Sequence, residues 1–296
     1  LRLGIYQIIY MDKVPESAAV NESVKLAKKL TRGLSGFVNA VLRSVLRECD
    51  SISIGELAKS EAEEISFIYN QPLWLVNLWM NEMGKDKTVD LCAWFNEQPR
   101  LTARINTVKV SIGDCIKELQ NLGWTVEQDK DIPEVVYIDS HQGHLEKAKP
   151  VIEGHITFMD KASMLVAHVV DPQPGDRILD CCAAPGGKSM HMASLMNNTG
   201  AIMSCDIYDH KLDLMNQNAE RLGVSIVSTK LQDGRYLPDN WKEQFDRVLV
   251  DAPCSGLGIL QKKLDMRWRK TEDLLNELPP LQLEILEKAS EMVKVN

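Results

Sequence analysis

Asp180-Cys181-Cys182-Ala183-Ala184-Pro185-Gly186-Gly187-Lys188 is the stretch that decides the fold. It lies after an apolar segment of strand character, Arg177-Ile178-Leu179-Asp180, and before a helical one, Lys188 to Met196. Small residues between a strand and a helix let backbone N–H groups approach a ligand at the positive end of the helix. That is the layout of a nucleotide or nucleoside site. A P-loop requires Gly-x-x-x-x-Gly-Lys-Ser/Thr. Gly187-Lys188-Ser189 matches its end, but Cys182 stands where the first glycine belongs. The dinucleotide pattern Gly-x-Gly-x-x-Gly is also missing. The loop therefore disfavours an ATPase or a dehydrogenase.

The segments beyond the loop extend the pattern. Ala201 to Asp206 reads as a second strand, and its terminal acid lies about 20 residues past the loop, where an acid can hold ribose hydroxyls. His210 to Leu222 reads as a helix closed by Gly223, Val224 to Leu231 as a third strand, and Phe245 to Asp251 as a fourth. Strands alternating with helices predict a parallel sheet with its ligand at the carboxyl ends of the strands. Asp180, Asp206, Asp233 and Asp251 all fall at such ends. One strand-end Asp is commonly a turn former, but four in succession beside a small-residue loop point to a site.

Two motifs, Cys182-Ala183-Ala184-Pro185-Gly186-Gly187-Lys188 and Asp251-Ala252-Pro253-Cys254-Ser255-Gly256, together resemble the RNA cytosine-5 methyltransferases of the Sun/RsmB/NSUN family. The resemblance reaches the whole chain. Leu1 to Glu48, with Gly33-Leu34-Ser35-Gly36-Phe37-Val38-Asn39-Ala40, is similar to part of a NusB-like helical domain, and Pro99-Arg100-Leu101-Thr102-Ala103-Arg104-Ile105-Asn106 to the start of the family's small RNA-binding domain. It implies a multidomain protein: a partial all-α NusB-like domain over 1–49, a linker over 50–71, a small α+β RNA-binding domain over 72–153, and an α/β Rossmann-like methyltransferase core over 154–296 whose sheet is incomplete at the C-terminus.

The resemblance also implies roles. The loop Cys182, Ala183, Ala184, Pro185, Gly186, Gly187, Lys188 would hold the amino-acid end of S-adenosylmethionine, Asp206 its ribose and Asp233 its adenine amine. Asp251, at the same site, would hydrogen-bond the target cytosine near N3, and Cys254 would help release the product. Cytosine C5 needs a thiolate at C6 before it can take a methyl group, and the base must be unpaired or flipped out. The attacking Cys of the family sits in a Thr-Cys pair beyond the next strand. No Thr-Cys pair occurs here, so the nucleophile is expected beyond residue 296. The chain also opens at Leu1, without Met, inside a helical stretch, and reads as truncated at both ends. On that view Val248-Leu249-Val250 would border an open sheet edge, and a helix around Leu281 to Val293 would have little to pack on.

Composition sets outer bounds. The chain has 296 residues, 44% of them hydrophobic, which suits packed cores. No run approaches the ~20 apolar residues of a membrane span. Seven Cys without framework spacing fit a reducing, cytoplasmic setting, and no Cys/His ligand spacing predicts a metal. Cys49, Cys92 and Cys115 read as core or surface thiols, and the six His are assigned no chemistry. The net charge of −8 is not that of a general nucleic-acid binder, but local patches decide such contacts. Arg100 and Arg104 form one patch; Lys262, Lys263, Arg267, Trp268 and Arg269, just past Asp-Ala-Pro-Cys, form another suited to stacking and phosphate contact.

Val20, Val24, Ala27 and Leu30 recur at helical spacing, as do Val38, Val41, Leu42 and Val45. A short helix is expected over Ile54 to Lys59, a Trp-rich one over Pro72 to Met83, a strand from Leu101 to Val108, a helix from Ser111 to Leu122, a strand from Val135 to Ile138, and a helix from Lys161 to Val170, with His155 to Phe158 leading into the catalytic core. The expected function is S-adenosylmethionine-dependent methylation of cytosine C5 in RNA, with 16S ribosomal RNA as partner and a monomeric protein. The alternatives are a non-catalytic RNA-binding protein, a tRNA substrate, or a methyltransferase for protein or small molecules.

Overall fold

The computed structural model describes residues 1–48 and 57–295, which fall into two compact units divided after Asn96. The first unit is helical. Helices Arg2–Tyr10, Glu16–Leu30 and Ser35–Glu48 bury Val20, Val38 and Leu42, the residues whose spacing predicted amphipathic helices. Gly4 permits their close approach: a Cβ there would lie 2.5 Å from Ser23 Oγ. Helices Glu61–Tyr69, Leu73–Met83 and Lys85–Trp94 come next in the chain. Ser60 caps the first of these by accepting from Glu63 N. Trp79 is buried and stacks on Phe95, so it packs rather than offering a platform for a base.

Residues 61–69 form a helix inside the expected linker, and the helices over 73–94, at the start of the expected α+β domain, fall in the first compact unit. Cys49 and the first half of the short helix expected over Ile54 to Lys59 lie outside the described residues.

The second unit, Glu97–Asn296, holds two sheets. The smaller is antiparallel, in the order β2-β3-β1-β4, with β1 Leu101–Ile105, β2 Thr125–Gln128, β3 Val135–Ser140 and β4 Ile156–Phe158. Helix Ile112–Asn121, capped by Ser111, lays Cys115 and Leu119 on Ala103, Ile105, Val136 and Ile138. The segment at His155–Phe158 does not lead into the methyltransferase core as expected; Ile156 pairs with Ile105 and completes the small sheet. The two sheets are tied by Asn106, whose Nδ2 donates to Gly154 O and Leu222 O, each at 2.8 Å. Gly154 makes this possible, since at φ 75° its missing Cβ would lie 2.2 Å from Arg221 O.

The larger sheet is parallel, in the order β7-β6-β5-β8, with β5 Arg177–Asp180, β6 Ala201–Asp206, β7 Val227–Leu231 and β8 Arg247–Leu249. Strand alternation sends Ile178 into one core with Ala167, Met190 and Leu222, and Leu179 into the other with Phe245, Ile285 and Met292. Helix Lys161–Val170 matches its expected bounds, and β8 is shorter than expected. Helix Leu274–Ser290 corrects the expectation that it would lack a packing surface: Ile285 and Ala289 are buried in the second core. Among the described residues β8 is an edge strand of the sheet, as expected for Val248–Val250. Just before it, Gln244 N and Phe245 N both donate to Met292 O, Lys294 N donates to Phe245 O, and Phe245 and Val293 form a parallel bridge. No helix among the described residues is long and apolar enough to cross a membrane.

Candidate active site

The sheet order makes a switch point. After β5 the chain winds outward through β6 and β7, then returns to place β8 on the other side of β5. Ligands collect outside the strand ends where the winding reverses. The loop after β5 is Cys181–Gly186, and the loop after β8, from Val250, carries Asp251. The two motifs therefore stand side by side, and Lys188 Nζ is ion-paired with Asp251 Oδ2.

Beneath the loop, Asp180 is fully buried and accepts from Ser189 Oγ at 2.6 Å, and Ser204 Oγ donates onward to Ser189 Oγ at 2.8 Å. Burial pushes the Asp180 carboxyl up to about 6, against the Ser189 hydrogen bond. The loop closes on itself through Gly186 N to Ala183 O, and Gly186, at φ 94°, leads into helix Gly187–Leu195. A Cβ on Gly186 would press on Met215 at 3.1 Å in a left-handed backbone conformation, so only glycine suits the turn.

A cleft opens beside this loop. Cys181, Cys182, Asp206, Asp233, Gly234 and Pro253 line it, with Ile207, Leu281 and Ile285 as apolar wall. Asp206 is fixed from two sides: Ala184 N donates to Oδ2 at 3.3 Å, and Tyr208 N to Oδ1 at 3.1 Å. Asp233 accepts from Arg235 N at 2.9 Å and from Arg235 Nη2 at 2.7 Å, and that side chain holds its carboxyl below the usual carboxylate range. Gly234 keeps the floor open, since a Cβ there would meet Ile285 at 3.0 Å.

Of the sequence-predicted residues, the cleft gathers Cys182, Asp206 and Asp233, and the Lys188–Asp251 pair stands at its loops. Pro253 lines the cleft, and the next residue, Cys254, is exposed. By contrast Cys181, Cys182 and Cys205 are held as thiols, with burial raising Cys182 and Cys205 to about 12. In the second basic patch Lys263, Trp268 and Arg269 are exposed, and Lys262 is paired with Asp160.

Two basic residues depart from expectation. Arg104 and Arg267 were expected on an open RNA-facing surface, and both are buried, at 1% and 2% exposed. Arg104 lies on β1, where every residue from Thr102 to Ile105 is buried, and its side chain faces Asn218, Arg221 and Leu222 of the parallel-sheet domain. Arg267 is turned inward within the short helix Leu264–Trp268, so its neighbour Trp268 takes the outward position, at 60% exposed.

One cluster carried no sequence signal. Glu134 Oε1 accepts from His168 Nε2 at 2.6 Å and from His191 Nε2 at 2.8 Å. His191 is fully enclosed one turn into the helix after the loop, and burial lowers it to about 4 despite Glu134. Burial opposes ionisation of Glu134, but the two histidine bonds outweigh it and bring the carboxyl down to about 2. These three residues are far apart in sequence, so no spacing rule could have joined them.

Comparison with known proteins agrees with this architecture. Residues 167–296 match the family model described as 16S rRNA methyltransferase RsmB/F, residues 1–47 the NusB family, and residues 71–143 the ferredoxin-like domain of RsmF/B-like methyltransferases. The chain is 35% identical over 296 residues to a probable ribosomal RNA small subunit methyltransferase B of Bacillus subtilis, covering 99% of this chain and 65% of that protein. The chain belongs to the RsmB/F methyltransferase family. A second relative, from Synechocystis, carries the same description at 36% identity, with 66% of its length covered. The chain thus spans just under two thirds of these relatives. Among solved structures, PH0851 superposes with a TM-score of 0.82 at 28% identity, over 99% of this chain and 66% of that one. A methyltransferase homologue from Pyrococcus horikoshii gives 0.70 at 25% identity, over 80% and 74%.

The cofactor of this family is S-adenosylmethionine. The cleft fits it on its own terms. Two fixed carboxylates, Asp206 and Asp233, face a cavity whose ligand must offer hydroxyl and amine donors. An apolar wall suits a purine, and the floor at Gly234 is free of a side chain.

Proposed function

We propose that this chain carries the cofactor-binding and RNA-binding parts of an RNA cytosine-5 methyltransferase acting on small-subunit ribosomal RNA. The observation that carries the reading is the pairing of Lys188 with Asp251, which brings the two family motifs together at the switch point of the sheet.

Each group then has a task. Asp206 holds the ribose hydroxyls, and Asp233 the adenine amine. The Gly186-Gly187 turn gives the amino-acid end backbone N–H groups at a helix N-terminus. When bound, S-adenosylmethionine supplies an electrophilic methyl group. Asp251 hydrogen-bonds the cytosine near N3 and stabilises charge that develops on the ring. A thiolate adds to C6 so that C5 becomes nucleophilic, and its elimination after loss of the C5 proton restores the ring. Cys254, exposed one residue from the cleft lining, assists that release. Cys115, Cys182 and Cys205, each raised to about 12 by burial of the thiol, are unsuited to attack. The reading assigns the attacking thiol to a cysteine outside this sequence. Lys263, Trp268 and Arg269 form the exposed cationic and aromatic surface for the strand.

The test is transfer from labelled S-adenosylmethionine to unmodified small-subunit ribosomal RNA, using this 296-residue chain and the longer reading frame in parallel. Transfer by the longer protein alone, mapped to cytosine C5, is the expected result. Transfer by the short chain would place the nucleophile among the cysteines here. Transfer only to tRNA would replace the substrate, and RNA binding with no transfer by either protein would favour a non-catalytic role.

A further inference from the structure

The loop after β5 walls two cavities. Cys181 and Cys182 face the cleft described above, whereas Pro185, Gly186 and Gly187 line a second cavity of about 190 Å³ with Arg104 and Arg221. The two cavities share no lining residue.

The second cavity holds positive charge without an acid to match it. Arg104 is 1% exposed, and its Nε and Nη1 have no hydrogen-bond partner among the described residues. Leaving such donors unmade in a buried site is costly. Arg221 bonds only neutral oxygens: Nη1 donates to Val151 O at 2.8 Å, and Nη2 to Thr157 Oγ1 and Asn218 Oδ1, each at 3.2 Å. Glu134 acts on Arg104 across space, but its carboxylate already serves His168 and His191. Burial lowers Arg104 to about 10, against the charge of Glu134 and with a smaller contribution from the charge of Arg221.

We propose that this cavity is an oxyanion site that seats one phosphodiester of the RNA strand. The proposal rests on the RNA-methyltransferase reading above. Guanidinium groups are donors that phosphates use. The location favours RNA over the cofactor carboxylate, because Arg104 on β1 and Thr157 on β4 build the wall from the small sheet. A phosphate held here anchors the strand on the small-sheet side of the loop.

The test compares Arg221→Gln, Arg221→Lys and Arg104→Gln with the unchanged chain. Filter binding of an unmodified small-subunit ribosomal RNA transcript is measured across a KCl series, with calorimetry of S-adenosylmethionine on the same proteins. The two Gln variants should bind RNA roughly three- to tenfold more weakly, with a log–log salt slope shallower by about 0.7–0.9, the worth of one phosphate. Cofactor affinity should not change, and Arg221→Lys should keep most of the slope. Weaker cofactor binding with unchanged RNA binding would assign the cavity to the carboxylate and overturn the proposal. Unchanged RNA affinity and slope in Arg221→Gln would also overturn it. If Arg104→Gln does not fold, the Arg221 pair decides alone. An unchanged chain that binds no RNA would remove the underlying reading and the proposal with it.

Discussion

Lys188, at the end of one family motif, is ion-paired with Asp251, at the start of the other, across the ends of neighbouring strands β5 and β8. The lysine side chain is 19% exposed and the aspartate 49%. The pair thus has one mostly enclosed end and one end open to solvent. The lysine charge also balances Asp251 close to the buried Asp180, whose carboxyl is raised by burial and, to a lesser degree, by the Asp251 charge.

Asp251→Asn keeps the shape and removes the charge. In the longer protein, transfer to RNA should fall by roughly 10²- to 10³-fold, the usual worth of a preorganised electrostatic group. Cofactor affinity should change much less. Calorimetry beside single-turnover transfer separates the two effects. A loss confined to cofactor affinity would move Asp251 from the base to the cofactor.

The parallel sheet is legible in the sequence because its signals are local: a small-residue loop, strands ending in Asp, and Gly223 closing a helix. The packing of the chain's closing helix is illegible for the opposite reason. Ile285, Ala289 and Met292 find partners in Leu179, Cys181 and Phe245, residues that are near only after folding. Arg104 shows the same limit. A basic residue in an alternating strand reads as exposed, and only the docking of the small sheet on the parallel-sheet domain, through Asn106 and Gly154, encloses it. The Glu134 cluster escapes sequence reading because each of its bonds joins different elements.

Asp206→Ala should weaken S-adenosylmethionine binding by about tenfold or more, the scale of losing hydrogen bonds from hydroxyls to a charged acceptor. It also removes the acceptor for Ala184 N, so the loop loses a tether. Calorimetry on the 296-residue chain measures this directly. Normal affinity would end the ribose assignment.

Glu134→Ala should destabilise the second unit by about 2–4 kcal/mol, because two histidine donors lose their acceptor and one lies fully buried. Glu134→Gln, which keeps an oxygen, should cost less. The cluster also sets an acid limit. His191 has its folded value lowered to about 4, so its contribution is complete above the unfolded value near 6.5 and is lost as pH falls through 4. Glu134, lowered to about 2, loses its contribution below that of His191. Urea unfolding of the Asp180→Asn chain, which lacks the opposing titration of Asp180, should show it weaker at pH 5 than at pH 7. Equal stability of that variant at both would contradict a neutral, buried His191.

Asp180→Asn should act in the opposite direction. The folded carboxyl is raised to about 6 by burial, so its favourable contribution is complete below the unfolded value near 3.8 and is lost as pH rises through 6. The amide keeps an oxygen for Ser189 Oγ and has no charge to bury. The variant should therefore be more stable at pH 7.5 by about 2 kcal/mol, with the gain gone near pH 4. Denaturant midpoints across that range test it. A gain that does not vary with pH would mean that the carboxyl is not raised.

Cys254 tests the chemistry itself. It is the exposed one among the cysteines described, and it stands next to Pro253 in the cleft wall. On the proposed reading its thiol assists departure of the attacking cysteine from C6, so its loss should stall the reaction after methyl transfer. In the longer protein, Cys254→Ala should accumulate a covalent protein–RNA adduct, stable to denaturing electrophoresis and carrying the labelled methyl group. If Cys254 were instead the attacking thiol, the same variant should give neither adduct nor methylated RNA. Free methylated RNA released at the normal rate would leave Cys254 with no part in the reaction.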